Sequence, residues 1–212
     1  MALKKNKVKF GLNKVHYAKI TAWSEDGVPT FATPVRIPGA VSLSIDANGE
    51  QENFYADNSV YYVINNNAGY TGDLEIALIT TDFTTEILGE IQDTNGVLVE
   101  RNNAETAQFA LLFEFNGDKN HIRHVLYCCS ASRPATEGET TEESKSVKTE
   151  KLSLKASALP NGLVKSKTCE STDETTYNNW YNAVYMPTAA TNNSTGTRSA
   201  STKSGGSAAA TE

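Results

Sequence analysis

Gln108-Phe-Ala-Leu-Leu-Phe-Glu-Phe-Asn-Gly117 decides the fold. Successive side chains of an extended strand point to opposite faces. Phe109, Leu111, Phe113 and Phe115 therefore share one face, and Gln108, Ala110, Leu112 and Glu114 share the other. Asn116-Gly117 follows at once, and Asn-Gly accepts the positive φ angles that a type I′ hairpin turn requires. Residues 121–131 read as the return strand. Period-two alternation beside a turn signal argues an antiparallel hairpin.

The same grammar recurs outward in both directions. Asn48-Gly49, Asn95-Gly96 and Asn161-Gly162 complete a set of four Asn-Gly pairs. Before the first, Val41, Leu43 and Ile45 alternate with Ser42, Ser44 and Asp46, and Glu50 to Ala56 is expected to be the partner strand. The fourth is expected to lie between a strand ending near Leu159 and one over 163–169. Segments 15–23, 59–64 and 70–80 supply further strands. Two helices punctuate them. One runs from Asp82 to about Gly89, with Thr81 or Asp82 as cap and with Phe83 and Ile87 one turn apart. The other runs from about Thr172 to Tyr185, with Ser171 and Glu174 as a capping box. Its Tyr177, Trp180, Tyr181 and Val184 form one apolar stripe, which packs on the sheet or meets a neighbouring subunit. About ten strands joined mostly by hairpins predict a mainly β protein, an antiparallel sandwich or barrel with one short flanking helix and a C-terminal helix.

The chain has 212 residues, which suits one all-β domain with appendages. Its net charge is −6 but is spread unevenly. Lys4, Lys5, Lys7, Lys9, Lys14 and Lys19 all precede the first acid, Glu25, so a basic arm over 1–14 precedes an acidic body over 15–186. Lys4, Lys5, Lys7 and Lys9 are either a solvated tail or contacts to the acidic face of an identical neighbour, where charge complementarity would set register. An acidic body argues against nucleic-acid binding through clustered Lys and Arg. Pro134 to Ser146 carries four glutamates and no large apolar side chain, so it is expected to be a mobile acidic loop. Residues 187–212 are low-complexity Thr, Ala, Ser, Asn and Gly. No apolar run approaches the roughly 20 residues of a membrane span.

The search for chemistry finds no phosphate-binding glycine loop and no nucleophile elbow. His121 and His124, three apart on a strand, would face opposite ways, as would Cys128 and Cys129; with Cys169 the thiols number three, which is no disulfide framework. No enzyme, cofactor or metal is expected. The segment Asp46 to Ala56 is more suggestive, because it mixes Asp46, Glu50 and Glu52 with Phe54 and Tyr55. It reads either as a surface hairpin or as an assembly element whose acidic face lines an aqueous space.

Four strings carry a resemblance: Lys7-Val-Lys-Phe-Gly-Leu-Asn-Lys-Val-His-Tyr-Ala-Lys-Ile20, the stretch Pro34–Ile45, Gly69-Tyr-Thr-Gly-Asp-Leu-Glu75 and Phe109–Glu114. In this order they resemble the major tail protein family of long non-contractile phage tails from Gram-positive hosts, across roughly residues 1–186. That resemblance implies a β-sandwich subunit of the virion tail, made in the host cytoplasm. It implies six-membered rings stacked into a tube, with tape-measure protein and genomic DNA in the lumen and with tail terminator and tail tip proteins at the ends. Asp46, Glu50 and Glu52 would then face the lumen, and the lysine arm with Tyr177, Trp180 and Tyr181 would meet other subunits. The competing expectation is a β-sandwich binding module for a capsid or host carbohydrate, with Trp23 or Tyr70 as a sugar platform.

Overall fold

A computed structural model describes residues 10–49, 51–116, 121–136, 138 and 148–188, without the side chains of 51, 52, 64 and 65. The strands are β1 (Leu12–Trp23), β2 (Pro29–Phe31), β3 (Val35–Arg36), β4 (Ala40–Ala47), β5 (Gln51–Ala56), β6 (Ser59–Asn65) and β7 (Tyr70–Ile76). Then come helix α1 (Thr81–Glu86), β8 (Ile91–Gln92), β9 (Leu98–Val99), β10 (Phe109–Phe115), β11 (Arg123–Ala131), β12 (Glu150–Ser157), β13 (Lys165–Lys167) and helix α2 (Glu174–Asn179). The expected class holds: the protein is a mainly β, antiparallel sandwich with two short helices.

Nine strands form one sheet with the path β2-β1-β10-β11-β12-β7-β4; β3 adds to β1 and β13 to β11. The pair β10 and β11 lies at its centre, with Leu111 opposite Leu126 and Phe113 opposite His124; Gly117 lies outside the described residues. Every side chain from Phe109 to Glu114 is buried, so the strand is covered on both faces. One face packs Phe109, Leu111 and Phe113 with Tyr17, Leu126, Leu152, Leu74, Phe83 of α1 and Ile87 just after it. The other packs Ala110 and Leu112 with Val125, Tyr127, Leu159 and Trp180. Cys128 and Cys129 fall on opposite faces, as strand alternation requires.

β11 serves two partners. Its residues Cys128 to Ala131 pair with β12, and His124 to Leu126 pair with β13.

Several local expectations are corrected. α1 begins one residue earlier, because Thr80 caps it through the Phe83 amide; Gly89 ends that turn at φ +79°. α2 is much shorter than 172–185, and its cap is Asp173, whose carboxylate accepts from the Thr176 amide. His121 precedes β11 in a left-handed conformation, so the two histidines do not share a strand. Asn95-Gly96 does turn a small hairpin, β8 to β9, with Asp93 accepting from the Asn95 and Val97 amides. Asn161-Gly162 also lies in a tight turn, closed between Leu159 and Leu163, but β12 and β13 both pair with β11. Asn48-Gly49 turns nothing: β4 pairs with β7 rather than with β5.

Candidate assembly surface

The last correction exposes the most unusual element. β4 and β7 pair from Ala40–Ile76 to Ala47–Tyr70, and β5 and β6 continue from Gln51–Asn65 to Ala56–Ser59. Between them the Asn48 amide donates to the Gly69 carbonyl at 2.8 Å and the Ala68 amide to the Asn48 carbonyl at 2.9 Å. Residues 40–76 are thus one long hairpin with a joint in its middle. Its tip is Asp57-Asn58, both at positive φ (52° and 58°), the geometry of a type I′ turn. The joint needs glycine. Gly69 has φ +88°, and a Cβ there would lie 2.0 Å from the Ala156 carbonyl oxygen.

The basal half has one dry and one wet face. Leu43, Ile45, Leu74 and Ile76 point inward. Outward, register places three rows across β4, β7 and β12: Asp46–Thr71–Lys155, Ser44–Asp73–Ser153 and Ser42–Glu75–Lys151. Asp73 takes the Lys151 ammonium at 2.8 Å and the Ser153 hydroxyl at 2.8 Å. These two partners, Lys151 first, hold its carboxyl below the usual range. Glu75 accepts from Thr149 and from Ser42, and its carboxyl is lowered by them in that order. Carboxylates, hydroxyls and ammonium groups alternate, and all nine side chains are at least partly exposed. β4 bounds this face, and among the described residues its outer edge has no ladder partner.

The distal half is the opposite in character. Phe54 (58% exposed), Tyr55, Val60, Tyr61 (72%), Tyr62 and Val63 all stand in solvent. Phe54 opposes Tyr62 on one face, while Asn53 opposes Val63 and Tyr55 opposes Val60 on the other. Both faces of the ribbon are therefore apolar. A free two-stranded ribbon is marginal in water, and exposed apolar patches of this kind mark interaction sites.

Of the residues expected at the lumen, Asp46 lies on the wet face; Glu50 and the Glu52 side chain lie outside the described residues. Asp73 and Glu75 share that face and were missed. The signal was present in Gly69–Glu75, where Thr71, Asp73 and Glu75 alternate. Lys4, Lys5, Lys7 and Lys9 fall outside the described residues, as do residues 137, 139–147 and 189–212 of the expected loop and tail.

The stripe on α2 packs onto its own sheet. Trp180 is 2% exposed, with its Nε1–H donating to the His124 carbonyl at 3.4 Å. The half-buried Tyr181 donates its hydroxyl to Glu114 at 3.1 Å. Glu114 is itself buried and also takes Lys14 Nζ at 3.0 Å and Arg123 Nε at 3.3 Å. Arg123 lies 3.8 Å from the Tyr177 ring centre and donates to the Tyr177 carbonyl. Burial pushes the Tyr181 phenol well above its ordinary pKa, helped by the Glu114 carboxylate. Of the two aromatics read as a sugar platform, Trp23 is exposed, but the Lys165 ammonium covers Tyr70 at 4.4 Å from its ring centre.

No protein-family model matches the chain. No curated protein matches it either. A chain in the cryo-EM structure of the anti-feeding prophage baseplate, six-fold symmetrised, superposes with a TM-score of 0.46 at 11% identity, over 80% of this chain and 100% of that one. A chain of the anti-feeding prophage cap, the tube-terminating cap, gives 0.41 at 8% identity, over 79% and 99%.

Proposed function

We propose that this chain is a structural subunit of a phage tail that assembles with copies of itself, and specifically the major tail tube subunit, forming stacked six-membered rings around the tape-measure protein and the genome. The long hairpin of residues 40–76 is the observation that carries this reading. Its base offers a wet polar face bounded by a strand edge, and its tip an apolar ribbon, both left open among the described residues. An open edge is a liability that closure into a ring removes. A lumen facing a polyanion needs a surface without clustered cations, and the nine-residue face answers this with three carboxylates against two ammonium groups, one of which Asp73 engages. The resemblance of four ordered strings to tail proteins supports the same reading. Tail terminator and tail tip proteins are its expected partners at the tube ends, and the virion its location.

Negative-stain microscopy of concentrated purified protein tests this directly. Rings or hollow tubes are the expected result. A protein that stays monomeric at every concentration, and retains glycans on a column instead, would establish the binding-module alternative.

A further inference from the structure

The sandwich has an opening at the foot of the long hairpin. Leu43, Ile45 and Tyr70 of the hairpin face Phe113, Phe115 and His124 of the central strands across a cleft of about 190 Å³, with Lys165 at its rim. Phe113 and His124 stack at 5.0 Å and form its buried floor, and Phe115 meets both edge-on. A dry cavity of about 150 Å³ already accommodates a benzene ring. The cleft is thus large enough for one aromatic side chain, and its apolar walls favour one. The rim also suits a phenol: the Lys165 ammonium already sits over one aromatic ring, Tyr70, and cations favour such faces.

We propose that this cleft receives an aromatic side chain from the hairpin tip, around Phe54, Tyr61 and Tyr62, of a second copy of the chain. The inference rests on the self-assembly reading and names the contact by which assembly proceeds. Insertion within one chain is excluded by geometry. Ile45 and Tyr70 line the cleft where the ribbon leaves the body, and Phe54, Tyr61 and Tyr62 lie eight or nine residues farther along, roughly 30 Å at strand rise. A laddered two-stranded ribbon cannot double back on its own root. Donor and acceptor are different surfaces of one chain, so two copies either exchange tips reciprocally or join head-to-tail, and a ring needs the head-to-tail form. Such contacts repeat until a ring closes, or they continue as a helix. The match also accounts for two features at once: six apolar ribbon residues exposed among the described residues and an apolar cleft at the ribbon's base.

Cross-linking in trans tests the contact. Exposed Cys169 is first replaced (Cys169→Ser), leaving only the buried Cys128 and Cys129. Tyr61→Cys and Lys165→Cys are then made separately; both sites are exposed, so neither substitution disturbs the core. A short bis-maleimide added to the two mixed should give covalent dimers joining one chain of each kind, at least ten-fold above either protein alone. A second measurement uses complementation. The ribbon variant Phe54→Ser/Tyr61→Ser/Tyr62→Ser and the cleft-filling variant Ile45→Phe should each stay monomeric, yet form one-to-one dimers when mixed. Wild-type assembly without the mixed cross-link, and without complementation, overturns the cleft contact while leaving self-assembly standing. A wild-type chain that never assembles overturns both.

Discussion

Glu114 shows what a single residue holds in this molecule. Its carboxylate is buried and shared by Lys14, Arg123 and Tyr181, so it ties the first strand, the central hairpin and the segment after α2 together. Removing one partner of a buried ion cluster leaves the others uncompensated. Glu114→Gln is expected to cost about 3 kcal/mol, the low end for such a loss because Lys14 is 43% exposed; the shift of the urea midpoint measures it. Tyrosine ionisation gives a second expectation. Burial raises the phenol pKa of Tyr17, Tyr127 and Tyr181 above the ordinary value. The unfolded chain releases these protons near about pH 10 while the folded chain keeps them, so stability is full below that pH and falls as pH rises through the folded values. The part of the tyrosinate absorbance that Tyr17→Phe, Tyr127→Phe and Tyr181→Phe remove should therefore appear together with loss of folded signal above about pH 10, and its appearance with the fold intact would contradict this. None of this cluster was legible in the sequence. The helical spacing of Tyr177, Trp180 and Tyr181 shows that a stripe exists, but the groups that receive it sit at 14, 114 and 123, brought together only by strand pairing.

At the scale of elements, reading succeeded where local signals and pairing agree. The β8–β9 turn and α1 carry their turn or cap chemistry in adjacent residues, and the alternation over Phe109–Phe115 pairs β10 with β11. It failed at Asn48-Gly49, the strongest turn signal in its neighbourhood. The dipeptide sits in the joint of a longer hairpin, and the weaker Asp57-Asn58 makes the turn, because β4 finds its partner in β7 rather than in the nearer β5. Pairing between residues some thirty apart is set by the apolar alternation on both strands, which a local rule does not weigh. The wet face was half legible for the same reason: Asp46 could be placed, but not its neighbours Thr71 and Lys155 in the same row. Gly69 is where this element is most vulnerable. Gly69→Ala forces a side chain at φ +88° against the Ala156 carbonyl, which should cost at least about 2 kcal/mol. Faster amide exchange across β7 and β12 would locate the damage, and an unchanged melting temperature would refute it.

If copies assemble as proposed, the whole-molecule question is whether charge or apolar burial drives them together. The basic arm argues for charge, and the aromatic ribbon argues for apolar burial. Salt separates them, since screening weakens exposed charge pairs while apolar burial persists. If the ribbon dominates, sedimentation should show assembly surviving half-molar sodium chloride, and dissolution there would assign the drive to the arm. Truncation must respect the fold. β1 starts at Leu12, and Lys14 pairs with the buried Glu114, so the stretch read as an arm over 1–14 ends inside the sheet. Deleting residues 2–9 is expected to keep the melting temperature within a degree or two while slowing assembly at low salt, as loss of charge steering does. A deletion reaching Lys14 should instead lower the melting temperature, and calorimetry distinguishes the two.

The divided strand β11 has a mechanical meaning. A pull on the hairpin tip runs along β4 and β7 into β12, and β12 passes it to only one end of β11. The other end is held by β13 and by the Trp180 bond to His124. Tension along these strands loads their ladder bonds side by side, in shear, so they must fail together rather than unzip in turn. A chain gripped by its hairpin therefore resists tension along the strands, while a sideways tug on the same ribbon would peel it open one pair at a time.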